Sequence, residues 1–135
     1  MEKKILLYSE KEAKYSAIRQ LAEAQSAEVK RLTRAEYGIP VFRLLGLPDY
    51  VPFQAERLVP ALYELPELMI FHGFGSEELD VFLAAYRAEA LEPIPLKAIT
   101  TLYNLGWTPL RLAEQLKEEH EQYKGKTGAE KKEKN

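Results

Sequence analysis

Apolar and polar positions along the chain fall into two similar patterns. Ile5-Leu-Leu-Tyr8 is a short run with no polar break, the mark of a strand buried on both faces. Ser9-Glu-Lys-Glu12 follows with the spacing of a capping box, in which the serine oxygen accepts from the third helical amide and Glu12 reaches back. Ala13, Ala17, Ile18, Leu21 and Ala22 then form one helical stripe, and Ala27–Thr33 reads as a more polar strand suited to a sheet edge. The pattern returns between Leu68 and Thr101. Leu68–Phe71 is the apolar strand, Ser76 the expected N-cap, Leu79, Phe82, Leu83 and Tyr86 the stripe, and Leu96–Thr100 the second strand. Ser9 precedes Thr33 by the same 24 positions that separate Ser76 from Thr100, which puts Lys30 and Lys97 in matching places. Both an internal duplication and two strand–helix–strand units of ordinary length account for that spacing.

The segment between the units, residues 34–66, carries Pro40, Pro48, Pro52, Pro60 and Pro66 and is predicted to fold in short pieces. Pro40–Gly46 reads as a brief helix stopped by glycine, and Gln54–Tyr63 as an irregular helical turn. Thr108-Pro109 is a helix start with proline at the first helical position. Leu112, Ala113, Leu116 and Tyr123 line the helix that follows. From Lys124 the chain is charged and glycine-containing, unable to order itself by burial. The expected organisation is one α/β domain over residues 1–123 and a solvated tail over 124–135. Its architecture is a four-stranded, mostly parallel sheet of order 2-1-3-4 with helices on both faces. A ferredoxin-like α+β fold is the alternative, disfavoured by the long segment 34–66, which is read as recrossing the sheet.

Composition removes several function classes. The 135 residues contain no cysteine, so disulfide frameworks, cysteine nucleophiles and thiolate metal sites are absent. Charge is almost balanced, 19 basic against 21 acidic residues, which leaves no electrostatic footprint for nucleic acid. The apolar run after Lys3-Lys4 ends at Leu7, too short for a secretory signal, and no stretch suits a membrane span. The expected compartment is a reducing cytoplasm, and the expected state a monomer or weak homo-oligomer.

Candidate chemistry gathers where strands release into turns. A ligand in an open α/β sheet usually lies at the carboxyl ends of the strands. His72 there is a candidate general acid or base, or an element-end residue making one hydrogen bond. Lys97, between Leu96 and Ala98, is either a desolvated base or an edge-strand lysine that deters sheet association. Thr100, Asn104 and Trp107 complete the candidate ligand-binding set. Asn104 can serve a ligand or its own turn, and Trp107 can staple onto Leu112 at the helix start. Phe71-His-Gly-Phe-Gly75 has too few glycines for a dinucleotide fingerprint, no phosphate-loop signature follows, and Glu77 and Glu78 already complement the helix end. A tight turn at positive φ explains it better. Glu118-Glu-His120 lacks a second histidine for a zinc helix, no cofactor signature occurs, and the acids of a phosphotransfer receiver are missing. Tyr50-Val-Pro-Phe53 is either an exposed docking patch or a cap on the core. Three readings result: a module that binds a small molecule or protein without catalysis, a small lyase or hydrolase using His72 or Lys97 as base, and a structural subunit docking through its proline-rich middle.

Pro66-Glu67, Phe71-His-Gly-Phe74, Glu78-Leu79, Leu83, Pro95-Leu-Lys-Ala98, Thr100, Asn104, Trp107 and Glu119-His120 together carry a resemblance. From Leu65 to His120 the chain resembles an uncharacterised family of small bacterial proteins known only as a domain of unknown function. The resemblance implies a compact α/β domain in a bacterial cytoplasm and brings no activity, cofactor or catalytic residue. It points again to Lys97, Thr100, Asn104 and Trp107.

Overall fold

A computed structural model describes residues 2–48 and 54–134, with side chains as far as residue 122. The Tyr50–Phe53 stretch lies outside the described residues. In chain order the elements are β1 (Lys3–Tyr8), α1 (Glu12–Ala24), β2 (Ala27–Arg31), a 3-10 turn (Ala35–Gly38), α2 (Val41–Leu44), β3 (Leu68–His72), α3 (Ser76–Ala88), β4 (Leu96–Ile99) and α4 (Pro109–Lys134). The four strands form one sheet in the order β2-β1-β3-β4. That is the expected order, and it is not the ferredoxin-like one.

Strand direction differs from the simplest expectation at one seam. β1 pairs with β2 and β3 with β4 in parallel, but β1 and β3 are antiparallel, with Leu6 opposite Ile70 and Tyr8 opposite Leu68. The sheet is therefore mixed. Segment 32–67 leaves β2 and enters β3 at the same end of the sheet, so no recrossing takes place. Its length serves instead to cover one face. A second consequence concerns the turns: those after β1 and β2 lie at one end of the sheet, and those after β3 and β4 at the other.

Both faces are packed, which explains why β1 and β3 are apolar without alternation. α1 and α3 cover one face, where Ile5, Leu7, Ile18, Ala22, Met69, Phe71, Phe82 and Tyr86 form a single cluster. The Phe71, Phe74 and Phe82 rings meet there edge to face, with Phe71 5.3 and 5.4 Å from its two neighbours. On the other face Leu6, Leu68, Ile70 and Leu96 pack against Tyr37, Val41, Leu45, Leu110, Leu112 and Ala113. The two strand registers also bear on the matched lysines. Leu6 sits opposite Lys30, whereas Met69 sits opposite Lys97. Lys30 thus shares the face of Leu6 and pairs with Glu36 at 2.9 Å, while Lys97 shares the opposite face with Met69. The matched spacing of the two lysines is not a structural equivalence.

Local signals were met in part. Gly46, at φ +74°, ends α2 as expected, and Thr108 Oγ accepts the Arg111 amide at 3.1 Å at the start of α4. Gln54–Tyr63 forms no helix and runs as irregular chain with a turn at its end. Gly75, not Ser76, precedes the first turn of α3, and Glu78 returns to its amide at 2.9 Å. The helical backbone of α4 continues to Lys134, through the segment whose composition predicted no order from burial. Lysine, glutamate and alanine favour local helical bonding.

The capping box at Ser9 does not form. Lys11 is the N-cap of α1 without a side-chain cap, and Glu12 instead pairs with Arg31 at 2.6 Å. Ser9 is claimed from another element: its hydroxyl accepts the Lys11 amide at 3.1 Å and donates to Glu67 at 2.5 Å. The second oxygen of Glu67 receives the Lys14 ammonium at 2.7 Å, and Lys14 is only 6% exposed. A cation this deep needs its partner, because an uncompensated buried charge is far costlier than the pair is favourable. Glu67→Ala should cost about 3–5 kcal/mol. Lys14→Met combined with Glu67→Leu should recover most of that loss in urea unfolding; a single variant as stable as wild type would show the pair to be inert.

Candidate functional site

The turn after β4 is built by hydrogen bonds converging on Thr101 and Asn104. The Thr101 hydroxyl accepts the amides of Tyr103 at 3.2 Å and Asn104 at 3.1 Å. The Asn104 carboxamide oxygen accepts the Thr101 amide at 2.8 Å, and its nitrogen donates to the Ile99 carbonyl at 2.9 Å. Asn104 is 8% exposed, so this amide serves the turn and presents neither donor nor acceptor to the surface. The same turn holds its surroundings. Carbonyls of Leu105, Gly106 and Trp107 accept the amides of Phe42, Gln54 and Val41 at 2.8–2.9 Å. Trp107 is half-buried against the α2–α4 cluster with the Arg111 guanidinium 5.0 Å from its ring. It packs against the same cluster that contains Leu112.

His72 closes β3 on the same face as Ile70 and bonds through Nδ1 to the Thr100 hydroxyl at 2.9 Å. Lys4 lies opposite both Glu28 on β2 and His72 on β3, so the pair continues a row Glu28–Lys4–His72–Thr100, with Thr100 one residue past β4. Lys4 donates to the Leu45 carbonyl at 3.2 Å and lies 4.0 Å from Glu28. Partial burial and then the nearby Lys4 charge lower the His72 pKa below the usual value near 6.5. The imidazole is thus held neutral beside a hydroxyl, with no carboxylate bonded to it among the described contacts.

Lys97 does not join this pair. It lies on the edge strand β4, is exposed, and its ammonium turns back to the Ile94 carbonyl at 2.8 Å, away from the carboxyl end of the strand. Partial burial and then the Arg87 charge lower its pKa. Beside it runs an open groove of about 430 Å³ lined by Pro95, Leu96, Lys97, Leu116, Glu119 and His120. The five expected site residues therefore fall in three places. His72 and Thr100 meet, Asn104 and Trp107 build the turn and its packing, and Lys97 lines a groove with the two α4 residues that close the resemblance.

The turn at the end of α3's strand confirms the tight geometry expected there. Gly73 has φ +81°, and a side chain on it would meet the Glu2 carbonyl at 2.5 Å. The amino end of α3 is occupied by the protein's own carboxylate: Glu78 bonds Lys3 and the Gly75 amide, which together depress its pKa. Sequence reasoning missed Lys14 and its pairing with Glu67, whose signal was a lysine inside the stripe of Ala13, Ala17 and Ile18. It also missed Leu102 and Tyr103, large apolar residues inside a turn, which stand 77% and 85% exposed. Among the described residues no three metal-ligating side chains cluster, and no helix is long and apolar enough to cross a membrane.

Two outcomes test this geometry. Asn104 bonds the turn through both amide atoms and does not adopt positive φ, so glycine offers no relief there. Asn104→Ala and Asn104→Gly should both lower stability by about 1–3 kcal/mol, glycine at least as much as alanine. Wild-type melting for either would return the amide to the surface. For His72, the folded pKa lies below the unfolded one, so stability present above about pH 6.5 is lost as pH falls through the folded value. His72→Gln should flatten that part of the melting profile; an unchanged slope between about pH 7 and pH 5 would rule the coupling out.

A family model described as a domain of unknown function (DUF3783) matches residues 67–123, from the residue before β3 to the last side chains of α4 before its charged extension. Neither a curated protein nor a solved structure matches the chain. Over those residues the chain is similar to an uncharacterised domain family that carries no assigned activity; β1, α1 and β2 lie outside the match.

Proposed function

We propose that the protein is a binding module without catalysis, and that it docks a protein partner through the β4 side of its sheet. The observation that carries this reading is the turn after β4. Six hydrogen bonds among Ile99, Thr101, Tyr103, Asn104, Leu105 and Trp107 fix its backbone, and it nevertheless projects Leu102 and Tyr103 into solvent. Ordering such side chains in advance lowers the entropy lost on association, and a rigid tyrosine is a favoured anchor in interfaces. Ile99, half-exposed, adds an apolar side chain on the same strand as Lys97. Base catalysis has less support, because His72 and Lys97 point to different places and Lys97 bonds a carbonyl. The same reading assigns the module to a bacterial cytoplasm, on its cysteine-free sequence and its family resemblance.

A photo-reactive residue at position 103 in growing cells should trap one predominant partner. Leu102→Ser should remove that adduct while leaving the melting temperature within error, since exposed substitutions shift stability by only about ±0.5 kcal/mol. A diffuse set of adducts indifferent to Leu102→Ser would count against docking at this turn.

A further inference from the structure

We propose that the open edge of β4 takes up an extended, acidic segment of the partner as a fifth strand. The inference rests on the reading of the β4 side as a docking surface and specifies what the surface recognises. Among the described residues β4 pairs only with β3. The Thr100 amide donates inward to the Phe71 carbonyl at 2.9 Å, so by strand alternation the backbones of Leu96 and Ala98 face β3 and those of Lys97 and Ile99 face outward. The Ile99 carbonyl is already taken by Asn104. The amides of Lys97 and Ile99 and the Lys97 carbonyl are then left for an added strand.

Charge selects the occupant. Lys97 lies within reach of the Arg87 charge, and neither forms an ion pair among the described residues, whereas Lys3, Lys4, Lys14, Lys30 and Arg31 all do. A lysine on an edge strand deters indiscriminate pairing, including pairing with a second copy that would bring Lys97 near its own counterpart. The same lysine favours a strand that places a carboxylate beside it. The other wall of the groove is of mixed character: Leu96 and Leu116 are apolar, His120 is exposed, and Glu119 accepts from Gln115 at 3.3 Å. A fitting segment therefore carries an acidic residue next to Lys97 and an apolar residue next to Ile99, two positions along. The residue between them is apolar and turns toward Leu96 and Leu116.

The test selects a naive library of random peptides of about twelve residues, displayed on phage, against the immobilised full chain. The enriched peptides are then titrated calorimetrically and followed by amide exchange. Enriched sequences should carry the acidic–apolar–apolar pattern, and binding should slow exchange at the Lys97 and Ile99 amides. Lys97→Glu should weaken binding at least about tenfold by placing like charges together. Ile99→Pro, at a position whose amide faces away from β3, should weaken it comparably while leaving the fold intact by circular dichroism. If Ile99→Pro unfolds the chain, Lys97→Glu and the exchange data decide. An empty selection, enriched peptides without acidic residues, or affinity indifferent to Lys97→Glu would overturn the proposal. Binding that perturbs Leu102 and Tyr103 without protecting the Lys97 and Ile99 amides would overturn strand addition while leaving the docking surface in place.

Discussion

The antiparallel seam between β1 and β3 is the constraint on which the remaining arrangement depends. Each strand–helix–strand unit buries its own helix on the shared face, but neither β1 nor β3 can satisfy its second backbone edge or its second apolar face alone. Joining them in opposite directions puts the most apolar strands at the centre and leaves the polar strands β2 and β4 at the edges. It also sends the two sets of strand-end turns to opposite ends of the sheet. A fully parallel sheet would have gathered them over one crevice; this sheet does not.

Each end then carries its own polar construction. At the carboxyl end of β1, Ser9, Lys14 and Glu67 form a buried, mutually satisfied cluster joining α1 to the entry of β3. At the carboxyl end of β3, Glu28, Lys4 and His72 on three strands and Thr100 just past β4 lie in a row. The first cluster joins residues far apart in sequence and commits every group to the fold. The second exposes more of its members and keeps an imidazole neutral by burial and by a neighbouring cation. The Ser9 hydroxyl is bonded by Glu67 at one end of the sheet and the Thr100 hydroxyl by His72 at the other, while the β4 side carries the exposed apolar side chains of Ile99, Leu102 and Tyr103.

Order at that edge comes in part from Asn104, a side chain whose position suited a ligand equally well. Asn104 and Thr101 spend their hydrogen-bonding capacity on the turn, and the carbonyls of the turn in turn hold α2 and the chain at Gln54. Polar residues at a strand end can serve a ligand or the backbone, and local spacing is the same in both cases. Only counting the bonds each atom makes separates the two.

The sequence by itself determined the elements, because their signals are local: uninterrupted apolar runs at Ile5 and Leu68, helical stripes at Ala17 and Phe82, glycine at Gly46 and Gly73, and proline after Thr108. It also determined which strands are neighbours within each unit, since a βαβ unit places its own strands side by side. The expected order 2-1-3-4 is the one observed, although the recrossing expected of segment 34–66 does not take place. Tertiary structure alone decided the direction of β3 against β1, because both directions bury the same apolar residues and the sequence of segment 34–66 does not encode where its ends lie. It alone withdrew Ser9 from its expected cap, since the competing partner, Glu67, arrives from 58 positions away. It alone divided His72 from Lys97, because the side a residue faces on an edge strand follows from the register with its neighbour, and register is a property of two strands rather than of one.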